Sequence, residues 1–236
     1  MNFDYALTNL MPNQLAPKYY FMDYLFLQAI ASCFWLLVHW TLDFVFMEQN
    51  PRYLKKNLRE SYEYRGNICG MFHALIATFL AFYCIFYACG EGNNFFNSEE
   101  CADNPRNITI YTVIFSGAYF LIDLVLLVYY TKCKTIIYKQ YALHHTIGWV
   151  LLTLPLITQD YFTVASAAFM TVEVSAAFPN LRYLLFQHGY TNKNMVVAIN
   201  SILLAITFLF GRMPLLIFLI LFSARKEVFG VYFNPA

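Results

Sequence analysis

Charge is scarce in this chain. Asp, Glu, Lys and Arg make up 12% of its 236 residues, while 60% are hydrophobic. That is too little charge to solvate the surface of a soluble domain this size. A formal net charge of +1 gives nucleic acid no electrostatic footing. Cysteine is sparse and wrongly spaced for zinc, since none of the six residues forms a CxxC pair. Free thiols are the expectation, with Cys89–Cys101 the one pair open to bonding if its loop faces an oxidising compartment. Five histidines, none in an HxxHH cluster, are few for a di-iron membrane oxidase, so no metal is expected. The first twenty residues lack a basic segment joined to an apolar one, and they lack an Arg-rich amphipathic pattern. The first span, not a cleaved leader, is therefore expected to direct insertion. No internal repeat or low-complexity tract is evident.

Long apolar runs take the place of these features. They cover Phe21–Phe46, Asn67–Gly90, Thr109–Tyr130, His144–Gln159, Phe162–Phe178 and Met195–Phe222. Crossing ~30 Å of hydrocarbon takes about 20 helical residues, so most of these runs are long enough to span. The expected fold is all-α: a multi-pass transmembrane helical barrel or bundle of about six spans, forming one membrane domain over residues 1–236. The run ending at Gln159 is short and separated from the next only by the Asp160-Tyr161 turn, so a tight hairpin is expected there. In the last run, Gly211-Arg212-Met213-Pro214 predicts a kink near Phe210–Arg212, because proline removes a backbone donor and clashes one turn back.

Loop charges set the topology. The connections after the first, third and fifth runs carry Arg52, Lys55, Lys56, Arg59, Arg65, Lys132, Lys134, Lys139, Arg182 and Lys193. The opposite side, with both termini, carries Lys18, Arg106, Arg225 and Lys226. The positive-inside bias puts the loops Arg52–Arg65, Lys132–Lys139 and Arg182–Lys193 in the cytosol, or in the matrix if the membrane is mitochondrial. The acidic Glu91–Arg106 loop then lies outside. It precedes an Asn107-Ile108-Thr109 sequon, expected to stay unmodified because it abuts the third span.

Ionisable groups inside the runs are candidate functional residues, since each is costly in hydrocarbon unless it faces a bundle interior. These are His39, His73, Asp123, His144, His145, Glu173 and Arg212, with Asp43 near the boundary. Most fall toward the basic face. Neutral histidine beside a carboxylate is ordinary acid–base apparatus, and buried polar groups that merely join helices are the plain alternative. His39 and Asp43, near the interface, read as structural. His144 and His145 project about 100° apart on a helix and cannot share one partner, so at least one should face the interior. Arg212 is expected in the interior near the outer side, against a carboxylate, a carbonyl freed by Pro214 or a lipid headgroup.

Several segments together carry a family resemblance. Tyr64–Tyr83 reads YRGNICGMFHALIATFLAFY, with His-Ala after a glycine-containing turn. Ser116–Asp123 reads SGAYFLID, Leu143–Gly148 reads LHHTIG, Glu173–Arg182 reads EVSAAFPNLR, and the last run carries TFLFGRMP. Their order and spacing resemble the TLC domain (TRAM/LAG1/CLN8), over about residues 60–222 with one extra helix, 21–46, in front. The small TLC-domain proteins are the nearer likeness, more so than true ceramide synthases. The resemblance implies helices arranged as a barrel around a lipid-sized cavity. It also implies a role in acyl transfer for the histidine pair, which maps to His144 and His145. Where ceramide synthases carry two acidic residues, this chain has Glu173 alone in Thr171–Ser175, which argues against ceramide synthase activity.

Three functions follow as expectations. The first is a lipid-binding membrane protein acting in membrane lipid composition, with His73, Asp123, Asn180, Arg182 and Arg212 lining a polar interior. The second is a non-catalytic accessory subunit of a larger membrane assembly. The third is a lipid acyltransferase using His144, His145 and Glu173. No cofactor is expected beyond a bound phospholipid or sphingolipid. The expected partners are membrane lipids, with other membrane subunits an open alternative and nucleic acid excluded. The endoplasmic reticulum or another endomembrane is the expected site, with the mitochondrial inner membrane as the alternative.

Overall fold

A computed structural model describes residues 21–49, 56–90, 92–158, 161–214 and 217. The expectations on both termini, the charges Lys18, Arg52, Lys55, Arg225 and Lys226, and Asp160 of the hairpin turn fall outside those residues. Every regular element among them is helical. In chain order these are α1 Phe21–Gln49, α2 Leu58–Phe86, α3 Glu99–Asp103, α4 Asn107–Thr131, α5 Ile136–Thr153, α6 Pro155–Thr158, α7 Tyr161–Phe169, a 3-10 segment Met170–Ala176, α8 Ala177–Gln187, α9 Met195–Ile206 and a π-helical turn Thr207–Arg212.

Five continuous segments among the described residues are long and apolar enough to cross a membrane: Met22–Phe46, Leu58–Phe86, Asn107–Thr131, Phe162–Gln187 and Met195–Arg212. The expected run at 144–159 is not one of them. It lies in α5, whose first three turns carry Lys139, Gln140, His144 and His145, and it is interrupted before α6. α5 nonetheless lies along α4 over much of its length. Thr163 Oγ1 donates to the Pro155 carbonyl at 2.7 Å and Ser166 Oγ to the Leu151 carbonyl at 3.1 Å, closing the hairpin with α7.

Local sequence explains the element ends. Asn57 caps α2: its Oδ1 accepts from Glu60 N at 3.0 Å and its Nδ2 donates to Glu60 Oε1 at 2.9 Å, a reciprocal cap at the first turn. The glycines Gly66 and Gly70 expected at a turn lie inside α2. Gly70 serves close approach, because a Cβ there would sit 2.7 Å from Asn180 Nδ2. Thr135 caps α5 through the amide of Tyr138. The anticipated distortion before Pro214 takes the form of the π-helical turn Thr207–Arg212. A second one, the 3-10 segment, was legible in Pro179: proline has no N–H for the Ser175 carbonyl and crowds it.

The charged loops begin deeper in the helices than the apolar runs suggested. Arg59 and Arg65 belong to α2, Lys139 to α5 and Arg182 to α8. Arg65 is buried and pairs with Asp43 Oδ2 at 3.1 Å, so it is an interhelical contact of α1 with α2. On the opposite face, Cys89 and Cys101 form a disulfide, which corrects the free-thiol expectation for this pair. The loop folds back when Phe95 N donates to the Ile85 carbonyl at 2.9 Å, bringing the two cysteines within 5.7 Å at Cα. Cys33, Cys69, Cys84 and Cys133 are free. Asn107 is fully buried at the start of α4.

The core lies where α1, α2, α4 and α7 meet. Small residues on α2 and α4 (Ala74, Ala77, Ala81, Gly117 and Ala118) let the backbones approach, the usual solution where lipid removes the hydrophobic drive between helices. Trp35 of α1 is sunk into this seam, and its Nε1 donates to the Phe115 carbonyl at 3.1 Å.

Candidate functional site: a polar-lined intramembrane cavity

A cavity of about 900 Å³ opens between α2, α4, α5, the 3-10 segment, α8 and α9. α2 contributes a single face to it: Tyr62, Glu63, Gly66, Asn67, Gly70 and His73, spaced as one stripe of an α-helix. The residues singled out in the sequence as His73, Asp123, His144, His145, Glu173, Asn180, Arg182 and Arg212 all line it. Six structural elements bring them together. His39 and Asp43 do not line it; His39 is buried beside Arg65 and Tyr62 in a small void on the far side of α2.

Depth divides the cavity into tiers. At ~1.5 Å per residue, Asp123 and His145 lie roughly 12–14 Å from the inner ends of α4 and α5. On the same basis, His73 and Glu173 lie about 20 Å from the inner ends of α2 and α8. The groups expected toward the basic face therefore occupy two levels.

In the middle tier His145 Nε2 lies 3.3 Å from Asp123 Oδ2, and Tyr62 donates its hydroxyl to Asp123 Oδ1 at 3.1 Å. One carboxylate thus ties α2, α4 and α5 together and orients the imidazole. Asp123 takes the partner role the sequence reading gave to Glu173. Among the described residues, no ion pair or hydrogen bond joins Glu173 to either imidazole, because the two lie at different depths. His144, the neighbour on α5, is exposed on the cavity wall with Phe120 edge-on at 5.8 Å. The pair therefore splits as their angular offset requires: one ring buried on a carboxylate, the other facing open space.

The deep tier contains His73, Glu173, Ser175 and Arg212. His73 stacks on Tyr119 with ring centroids 3.9 Å apart and 12° between planes, and Trp35 meets it edge-on at 5.9 Å. Glu173 is 6% exposed. Arg212 Nη1 donates to Ser175 Oγ at 3.4 Å, and the guanidinium sits 6.0 Å from the Phe208 ring centroid. Ser175 lies midway along the Phe162–Gln187 span, and Arg212, the last residue of the Met195–Arg212 span, reaches inward to it.

At the mouth, Glu63 accepts hydrogen bonds from Tyr138 of α5 and from Tyr183 of α8, the latter at 3.4 Å. Arg59 Nε lies 3.6 Å from the same carboxylate. The bond to Glu63 raises the Tyr138 phenol above its ordinary range. Arg182 donates to Asn192 Oδ1 at 3.2 Å and covers the Phe186 ring at 5.3 Å. Tyr62, Glu63, Tyr138 and Tyr183 were missed by a search for ionisable groups inside apolar runs, since they sit at run edges. The α2 stripe ending at His73 was the signal that contained two of them.

Residues 63–234 match the TLC domain family. The chain belongs to that family. No curated protein and no solved structure matches it. In this TLC-domain protein the family region takes in the whole cavity except Tyr62, and α1 precedes it. Chemically, the arrangement can hold a ligand of lipid size and place polar atoms at three depths along it. Among the described residues, no cluster of three His, Cys, Asp or Glu side chains is placed to hold a metal ion.

Proposed function

We propose that this TLC-domain membrane protein binds a membrane lipid in the helical cavity and acts in membrane lipid composition. The cavity itself carries the reading: about 900 Å³ lies within the range of small-molecule sites and opens inside a membrane-spanning bundle. Its walls mix Leu127, Leu204, Phe208 and Leu209 with the polar tiers, as an amphipathic ligand requires. Exposed side chains on α5 (Tyr141, His144) and on the last span (Phe208, Leu209) line the cavity from both sides, so acyl chains can reach the bilayer there. The Cys89–Cys101 disulfide supports placement of the outer loop in an oxidising lumen, and hence the endomembrane system with the basic loops in the cytosol.

The test is mass spectrometry of lipid retained by the purified full chain. A lipid class enriched well above its share of the host membrane is the expected result. Recovery of bulk membrane composition would reject the reading.

A second reading, lipid acyl transfer, is favoured by one observation, the His145–Asp123 pair. A histidine held by a carboxylate suits a general base. Replacing His144 and His145 together by alanine separates the two. Loss of one lipid product with the protein still folded supports catalysis, and unchanged lipids support binding alone.

A further inference from the structure

The deep end of the cavity is not suited to a hydrocarbon tail. A chain terminus pushed to that level would meet the Glu173 carboxylate, the Arg212 guanidinium and the Ser175 hydroxyl, all of which line the space. Glu173 is more than nine-tenths buried, yet no described residue donates a hydrogen bond to it. Among the described residues Arg212 makes one long hydrogen bond, to Ser175, although a guanidinium carries five donors. The carboxyl of Glu173 and the guanidinium of Arg212 line the same space but are not within 4 Å, so a gap separates them.

The chemistry of that gap selects its occupant. Net charge between the two side chains is balanced, so a phosphate or carboxylate satisfying Arg212 would stand against Glu173, and an ammonium satisfying Glu173 would stand against Arg212. A charged headgroup would also have to be carried to mid-membrane, which is costly. A hydroxyl meets both demands with one oxygen, accepting from the guanidinium and donating to the carboxylate, and its burial is offset by those bonds. Resting on the lipid-binding reading above, we propose that Arg212 and Glu173 form a subsite for the hydroxyl of an uncharged lipid alcohol. Ser175 holds the guanidinium in position. The hydroxyl has two natural carriers, a diacylglycerol and a simple long-chain alcohol. In either case the chain leaves past Phe208 and Leu209.

The experiment uses the full chain in phosphatidylcholine nanodiscs with four photoactivatable probes: a diacylglycerol, its methyl ether, a phosphatidic acid and a long-chain alcohol. The free diacylglycerol or the alcohol should label cavity peptides about tenfold more than the ether, the effect of hydrogen bonds to charged groups. Whichever of the two labels more strongly identifies the carrier, and either result supports the subsite. Arg212→Leu and Glu173→Leu should each reduce labelling to the level of the ether, while Glu173→Gln, which keeps an acceptor, retains it. The ether comparison uses unaltered protein, so it stands even if the variants fail to fold. Equal labelling by the ether, or stronger labelling by phosphatidic acid, overturns the hydroxyl subsite alone. No labelling by any probe from a protein that also purifies without lipid overturns the lipid-binding reading beneath it.

Discussion

The two sides of the cavity are built differently. Where α2 and α4 meet α1, alanine and glycine bring backbones together, His73 stacks on Tyr119, and Trp35 plugs the seam. On the opposite side, α5 and α9 show few buried residues, namely His145 and Leu152 on one, Val197 and Asn200 on the other. The first side is arranged as a protein interior; the second leaves most of its side chains exposed. The difference teaches that close packing and open space reside in separate walls of one helical bundle. The polar groups that bear on a ligand sit between them.

Substitutions on the two walls should therefore diverge. Trp35→Ala removes a fully buried ring and the side-chain donor to the Phe115 carbonyl. A loss of about 3–5 kcal/mol is expected, measured by unfolding in mixed micelles. Gly70→Ala presses a methyl group against Asn180 and Tyr119, with an expected loss of about 1–3 kcal/mol. Tyr62→Phe frees one oxygen of Asp123 and should cost about 1 kcal/mol. It should also loosen the His145 ring, seen as a changed imidazole resonance by NMR. Leu209→Ala on the open wall is expected to stay within about 0.5 kcal/mol. A destabilisation by Leu209→Ala as large as that of Trp35→Ala would erase the contrast between the walls.

The smallest effect belongs to the mouth. Tyr138→Phe removes one strand of the Glu63 strap and should speed exchange of a fluorescent lipid a few-fold, with little change in stability. The sign with pH follows from the raised phenol of Tyr138. The folded state holds that proton more tightly than the unfolded chain, so the strap is fully present below the ordinary tyrosine range and lost only as pH rises above it. Exchange rates flat from pH 6 to 9 (values set by the ordinary tyrosine pKa of about 10) are the expected outcome.

Much of this was legible in the sequence because the bilayer imposes length and composition on a span. The apolar runs located the five candidate crossings among the described residues. Pro214 located the distortion in the last, since a missing donor acts locally. Two boundaries were misread for one reason. α2 begins at Leu58, well before its apolar run, and α5 starts among polar residues, because helices extend beyond the hydrocarbon or line a cavity. Which carboxylate meets His145 was not legible. Asp123 and Glu173 differ by helix offset, and offset is set by interhelical packing such as Gly70 against Asn180. The Cys89–Cys101 bond likewise depended on how the outer loop folds back, which spacing alone does not specify.

The central claim is that the space between the two walls holds lipid, and filling that space tests it most directly. Ala205 lines the cavity from α9 and is exposed, so Ala205→Trp can place an indole in the cavity without disturbing the sealed wall. Lipid bound per protein should be measured by native mass spectrometry on the unaltered chain and on Ala205→Trp, with matched thermal stability as the control for folding. The account predicts a specific lipid on the unaltered chain and its loss from the variant. Equal lipid on both, at equal stability, would contradict it.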